Sequence, residues 1–153
     1  MNNTFKSILK GKVVIVGIGN TMKGDDGFGP NLIKRLKNNV KAVCIDTGTA
    51  PENYVGSIAK ENPDTVLLVD AVCMDLAPGE YRILKPEEIL KSGFTTHDIS
   101  PTLFIEYLKK RTKAKIYMLG AEPQNMSLGD EMSGSIKRTL KEVAVLIKEA
   151  CDA

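Results

Sequence analysis

Val13-Val14-Ile15-Val16-Gly17-Ile18-Gly19-Asn20-Thr21-Met22-Lys23-Gly24-Asp25-Asp26-Gly27-Phe28-Gly29-Pro30 begins like a nucleotide-binding strand and turn and then departs from one. A β-branched run closing on Gly-Ile-Gly reads as the strand–turn–helix start of an α/β sheet. The dinucleotide fingerprint needs a third glycine, and position 22 is methionine. Asp25 and Asp26 then put two negative charges where a pyrophosphate would rest on a helix N-terminus. The segment suits a positive ligand, and a metal ion is the candidate.

Outward from this segment, apolar runs alternate with helical patterns to the end of the chain. Strands are predicted at 12–16, 41–45, 65–69, 81–84 and 115–119, several of them near-continuous in Val, Ile and Leu, as in a sheet covered on both faces. A first helix follows Gly27, with Phe28, Leu32, Ile33 and Leu36 on one stripe, and a weaker one spans about 53–61. Ser100-Pro101 reads as an N-cap and first residue of a third helix that buries Leu103, Phe104, Tyr107 and Leu108. Met132, Ile136, Leu140, Val143 and Ile147 stripe the last helix. The order predicts a three-layer α/β/α fold with a mostly parallel, twisted, five-stranded sheet. The Pro78-Gly79 turn leaves too little chain for a crossover, so the strand at 81–84 should be the one antiparallel strand, at or near an edge. No linker or repeat interrupts the chain, and its 153 residues read as one domain.

Composition removes several function classes. Apolar residues make up 42% and charged residues 26%, the balance of a soluble globular protein. A formal charge of +2 is too small to imply nucleic acid or an anionic membrane. The basic stretch Lys109-Lys110-Arg111-Thr112-Lys113-Ala114-Lys115 reads as a solvated complement to a helix C-terminus. Cys44, Cys73 and Cys151 are odd in number and widely spaced, which suggests reduced thiols instead of a disulfide frame or zinc knuckle. The first ten residues lack a signal-peptide h-region, and no stretch is long enough to span a bilayer, so the cytoplasm is the expectation; with no unusually apolar exposed stripe evident, a monomer is expected.

In open α/β sheets ligands sit beyond the carboxyl ends of the strands, where strand order reverses. If the first strand lies between the second and the third, the loop bearing Asp25 and Asp26 meets Asp70, which follows the four apolar residues 66–69. His97, the sole histidine, lies in a loop free to fold over the same edge. Each has a plainer reading. Asp26 before a glycine and a helix can be an N-cap, Asp70 can cap the next loop, and a lone histidine can simply be packed. A carboxylate ending a buried strand must nonetheless be paired or coordinated. Two carboxylates and an imidazole with vacant positions suit nickel, zinc, manganese or iron. Asp46-Thr47-Gly48 resembles the tripeptide of aspartic proteases, but those are all-β, so Asp46 is expected to shape the crevice floor or bind the loop amides that follow it. Cys73 with His97 as nucleophile and base is a minor alternative.

The ordered set Gly17-Ile18-Gly19-Asn20, Gly24-Asp25-Asp26-Gly27-Phe28-Gly29-Pro30, Asp46-Thr47-Gly48-Thr49-Ala50-Pro51-Glu52-Asn53, Val69-Asp70-Ala71, Pro78-Gly79-Glu80 and Thr95-Thr96-His97 resembles the maturation endopeptidases of nickel–iron hydrogenases, most of all the hydrogenase-3 type branch. The resemblance implies a five-stranded twisted sheet flanked by helices. It also implies an aspartyl-type peptidase that removes a short C-terminal extension from the hydrogenase large-subunit precursor after nickel insertion. The family's metal-binding residues map onto Asp26, Asp70 and His97, with Gly19, Asn20, Asp25 and Asp46 in support. Nickel would come with the substrate, other divalent metals could substitute, and no nucleic acid or membrane partner is implied. Some branches carry glutamate at the Asp26 position, and Asp-Gly-Gly is common where this chain has Asp46-Thr47-Gly48. A small-molecule or nucleotide-binding module and a non-catalytic metal-sensing adaptor remain the rival readings.

Overall fold

Alternation along the first strand divides the core between the two faces of the sheet. In the computed structural model, which describes residues 2–91, 94–96 and 100–152, β1 (Val13–Gly17) is buried along its whole length. Val13 and Ile15 join one apolar cluster with Phe5, Phe28, Leu32, Leu67, Val69, Ile136 and Ile147. Val14 and Val16 join the other with Ile58, Val66, Leu68, Phe104 and Leu108. This is the period-two pattern of a strand covered on both sides. Each fully buried aliphatic side chain contributes about 1.5–3 kcal/mol of transfer free energy.

The remaining strands are β2 (Val43–Asp46), β3 (Thr65–Cys73), β4 (Tyr81–Leu84), β5 (Thr95–Thr96) and β6 (Lys115–Ala121). The sheet runs β2-β1-β3-β6-β4, with β5 paired to β3 off this path. β1, β2, β3 and β6 are mutually parallel, and β4 runs antiparallel to β6 at the edge. The α1 (Asn2–Ile8), α2 (Phe28–Leu36) and α6 (Gly134–Asp152) helices cover one face. The α3 (Val55–Lys60), α4 (Pro86–Lys91) and α5 (Pro101–Arg111) helices cover the other. The three-layer α/β/α expectation therefore holds, as does the position of β1 between β2 and β3. Among the described residues no helix is long and apolar enough to cross a membrane.

Several details differ from the sequence reading. β3 continues to Cys73, because Asp70 and Ala71 pair with Gly120 and Ala121 of β6 while Val72 and Cys73 pair with β5. β5 is an added antiparallel strand too short to show a period. α1 was not expected: it is only seven residues long, and Phe5 and Leu9 hold that end of the chain by tertiary burial where propensity would not. On α5, Phe104, Ile105 and Leu108 are buried, whereas Leu103 and Tyr107 are 48% and 42% exposed. The buried stripe is thus one position later than the alternation suggested. Ser100 occupies the N-cap in an extended conformation, but its hydroxyl makes no capping bond, and Pro101 sets the start of the helix.

Candidate active site

The chain leaves β1 at Gly17, and its next residues are held by both neighbouring strands. The N–H of Ile18 donates to Val69 O and the N–H of Gly19 to Gly48 O, both at 2.9 Å. Thr47 donates its N–H and its Oγ1 hydroxyl to Gly17 O, also at 2.9 Å. Gly19 has φ 147°, and a Cβ there would collide with Asp26 O, so only glycine lets the acidic turn approach. That turn is a 3-10 segment, Gly24–Gly27, packed against β3 and leading directly into α2.

The turn gives its two acids different tasks. Asp25 and Asp26 are both wholly buried. Asp25 Oδ2 accepts the N–H groups of Gln124 and Asn125 at 2.8 and 3.1 Å and the Ser133 hydroxyl at 2.8 Å. Asp25 Oδ1 accepts the Ser133 N–H at 2.7 Å. With four donors, Asp25 is a tether that fixes the segment between β6 and α6. Asp26 Oδ2 accepts the Asn20 N–H at 3.0 Å, while its Oδ1 is buried with no hydrogen-bond partner among the described residues. Asp26 does not cap α2, whose N-terminus at Gly27 has no side-chain cap, so the capping alternative is set aside. Asn20 contributes twice, since its Oδ1 also accepts the Met22 N–H at 2.9 Å.

Asp70 is also wholly buried. Pairing of β1 with β3 stops at Gly17 and Val69, so Asp70 is the first residue of β3 past the end of β1. It is an interior residue of its own strand, a correction to its expected place at the strand tip. Its Oδ1 accepts the adjacent Ala71 N–H at 2.8 Å, so it does not cap a following loop through that atom. Thr96 pairs with Val72, two residues beyond Asp70. His97 lies outside the described residues. Among the described residues no three His, Cys, Asp or Glu side chains form a group able to hold a metal ion.

Asp46 ends β2, and its Oδ1 accepts the Gly48 N–H at 2.9 Å, forming the loop-amide contact anticipated for it. With Gly19, Asn20 and Pro30 it lines a cleft of about 290 Å³ at the carboxyl ends of β1 and β2. A larger cavity, about 1000 Å³, opens at the opposite end of the sheet, far from these carboxylates. The buried acids mark the chemistry better than the size of the hollow does.

Cys73 is poorly suited to nucleophilic attack. Burial pushes its thiol up from the usual 9.0, as do the charges of Glu122 and Asp70, against a lowering hydrogen bond with Thr95. A reactive thiol needs the opposite shift. Glu122 was not singled out from the sequence. Its Oε1 accepts the N–H groups of Met74 and Leu76 at 2.7 and 3.1 Å, bracketing Asp75, which has a positive φ of 59°. The signal was available, since a carboxylate directly after the apolar run of β6 is the pattern that drew attention to Asp70.

Comparison with known proteins agrees with this architecture. The hydrogenase maturation protease family model, HycI, matches residues 30–151, which include Asp70 and His97 and begin just after Asp26. The hydrogenase 3 maturation protease of Escherichia coli K12 is 36% identical over 133 residues, covering 85% of this chain and 85% of that protein. The crystal structure of the NiFe hydrogenase maturation protease HycI from Thermococcus kodakarensis KOD1 superposes with a TM-score of 0.90 at 34% identity, over 98% of this chain and 99% of that one. A crystal structure of a hydrogenase 3 maturation protease superposes at 0.81 with 31% identity, covering 95% and 92%. This chain belongs to the hydrogenase maturation protease family.

Proposed function

We propose that this protein is the endopeptidase that removes the C-terminal extension of a nickel–iron hydrogenase large-subunit precursor once nickel has been inserted. The observation that carries the reading is Asp26, a wholly buried carboxylate at the reversal of strand order with one oxygen held by Asn20 and the other unsatisfied. An ionised group in that position costs several kcal/mol unless a cation or donor meets it. Asp70, equally buried on the neighbouring strand, adds a second carboxylate, and the family resemblance implies His97 as the third donor.

Hard carboxylate oxygens beside an imidazole fit a divalent transition metal, and nickel arriving with the precursor would supply positive charge and Lewis acidity there. The chain's own residues do the rest. The Asn20 N–H holds Oδ2 of Asp26, while Oδ1 has no hydrogen-bond partner among the described residues. Asp70 is held by its bond to the Ala71 N–H. In the aspartyl-type reading, one of these carboxylates accepts the proton of the water that attacks the scissile carbonyl, while binding to both positions the peptide bond. The enzyme is taken as a cytoplasmic monomer. Zinc, manganese or iron would serve as substitute metals in testing the site.

The test is incubation of nickel-loaded and nickel-free precursor with the wild-type protein and with His97→Ala, followed by intact mass measurement. The expected result is loss of the extension from loaded precursor by the wild type alone. Equal rates on both precursors would remove the nickel-sensing part. An unchanged precursor mass under all conditions would remove the protease.

A further inference from the structure

The basic run at 109–115 takes no part in the site described above, yet the structure gives it a definite setting. Lys109, Lys110 and Arg111 end α5, and Lys113 and Lys115 lead into β6. With Lys10 they line the cavity of about 1000 Å³ at the end of the sheet opposite the carboxylates. Six cationic side chains face a single carboxylate there, that of Asp64. Its Oδ2 already accepts the Lys12 N–H at 2.7 Å. Among the described residues none of the six cations is in an ion pair. The whole chain carries a formal charge of only +2, so with six cations and one carboxylate in this groove the remainder is net acidic.

Helix dipoles do not account for the concentration. α1, α3 and α5 end near this groove, and each C-terminus presents at most about half a unit of negative charge. Three such ends fall well short of six cations. The surplus repels itself, and an anionic partner would relieve that repulsion.

The chemistry of the lining selects among anions. Five of its six cations are lysine, a flexible point charge suited to scattered carboxylates more than to bidentate recognition. Apolar or aromatic surface is limited to Ile8, Pro63 and Tyr117, too little to stack successive bases. The groove is concave, so a flat bilayer surface would reach only its rim. An extended acidic stretch of polypeptide fits both shape and charge. Its distance from the catalytic end also matters. Thr65 lines the groove and opens β3, and Asp70 lies five residues along the same strand, about 17 Å away at 3.3 Å per residue. A folded protein substrate can engage both places at once, and a short tail peptide cannot.

We propose that this groove docks an acidic segment of the protein substrate, an attachment point separate from the scissile bond that raises the effective concentration of the tail at the carboxylates. The identity of the partner rests on the protease reading above, whereas the binding itself does not.

Fluorescence anisotropy of a labelled oligoglutamate peptide with the full chain tests the binding. The peptide should bind, weaken as salt rises, and lose roughly tenfold or more in affinity to Lys110→Glu/Lys113→Glu. Lys34→Glu/Lys141→Glu, which changes net charge equally on another surface, should leave it unchanged. In precursor cleavage the first variant should raise KM roughly tenfold at constant kcat. Unchanged peptide affinity in that variant overturns the groove, as does tighter binding of a single-stranded oligonucleotide or phosphatidylserine vesicles than of the peptide. Peptide binding with unchanged KM overturns its role as a substrate dock. Should the wild type fail to cut the precursor at all, the protease reading falls while the anisotropy still decides the groove.

Discussion

The backbone N–H of Asn20 donates to Oδ2 of Asp26 at 3.0 Å, and this single bond orients a carboxylate whose other oxygen has no hydrogen-bond partner among the described residues. Replacing the charge while keeping the shape separates folding from function. Asp26→Asn still accepts the Asn20 N–H and no longer buries a carboxylate, so its urea midpoint should equal or exceed that of the wild type. Precursor cleavage should fall by about 100-fold or more. A variant that is destabilised yet fully active would contradict the division of labour within the doublet.

Asp25 should behave in the opposite way. Asp25→Ala strands the N–H groups of Gln124, Asn125 and Ser133 together with the Ser133 hydroxyl. The expected cost is about 3 kcal/mol in denaturant unfolding. Hydrogen exchange at 124, 125 and 133 should accelerate, because those amides lose their common acceptor.

Glu122 offers a test in which charge and hydrogen bonding come apart. Glu122→Ala leaves the Met74 and Leu76 N–H groups unpaired and should cost about 2–3 kcal/mol. Glu122→Gln keeps an acceptor oxygen and should recover much of that loss. The Glu122 charge raises the Cys73 thiol, second to burial, so the glutamine variant should move that thiol down. Faster alkylation of Cys73 at fixed pH would record the change.

Alkaline pH should weaken the fold through two half-buried thiols. Burial pushes Cys44 up from 9.0 to about 11, against a lowering effect of Lys37. Burial, with the nearby charges of Asp152 and Cys44, does the same to Cys151. Both folded-state values are raised, so the folded state binds the proton more tightly than the unfolded one. Their contribution is therefore intact below about pH 9 and lost as pH rises through about 11. Because both thiols are partly exposed, the loss should be modest. Chemical denaturation across that range, compared with Cys44→Ala/Cys151→Ala, should show a shallower decline in the double variant.

The parts of the fold that sequence made legible are those where burial imposes a period. β1, β4, α2 and α6 follow from their apolar spacing, and the antiparallel edge strand follows from the brevity of the Pro78-Gly79 turn. What was not legible depends on partners distant in sequence. The extension of β3 past Val69 is set by β6 and β5, and α1 forms because Phe5 finds a core supplied largely by α2 and α6. The same distinction holds at the site. Sequence marked Asp25 and Asp26 as acids out of place in a nucleotide fold, and Asp70 as a carboxylate ending a buried strand. Only coordinates could reveal that Asp25 is consumed by residues about a hundred positions away. Glu122 escaped notice although its local pattern matched that of Asp70.

The acidic doublet sits in a 3-10 turn, where consecutive residues diverge by a third of a revolution. Sequence neighbours thereby leave one short segment in different directions. A slip of a single position within Gly24–Gly27 would exchange the two acids, taking the four-bonded carboxylate of Asp25 away from the 124–133 loop. The glycines at either end of the turn thus act as phase markers, and the enzyme's chemistry depends on angular bookkeeping in four residues.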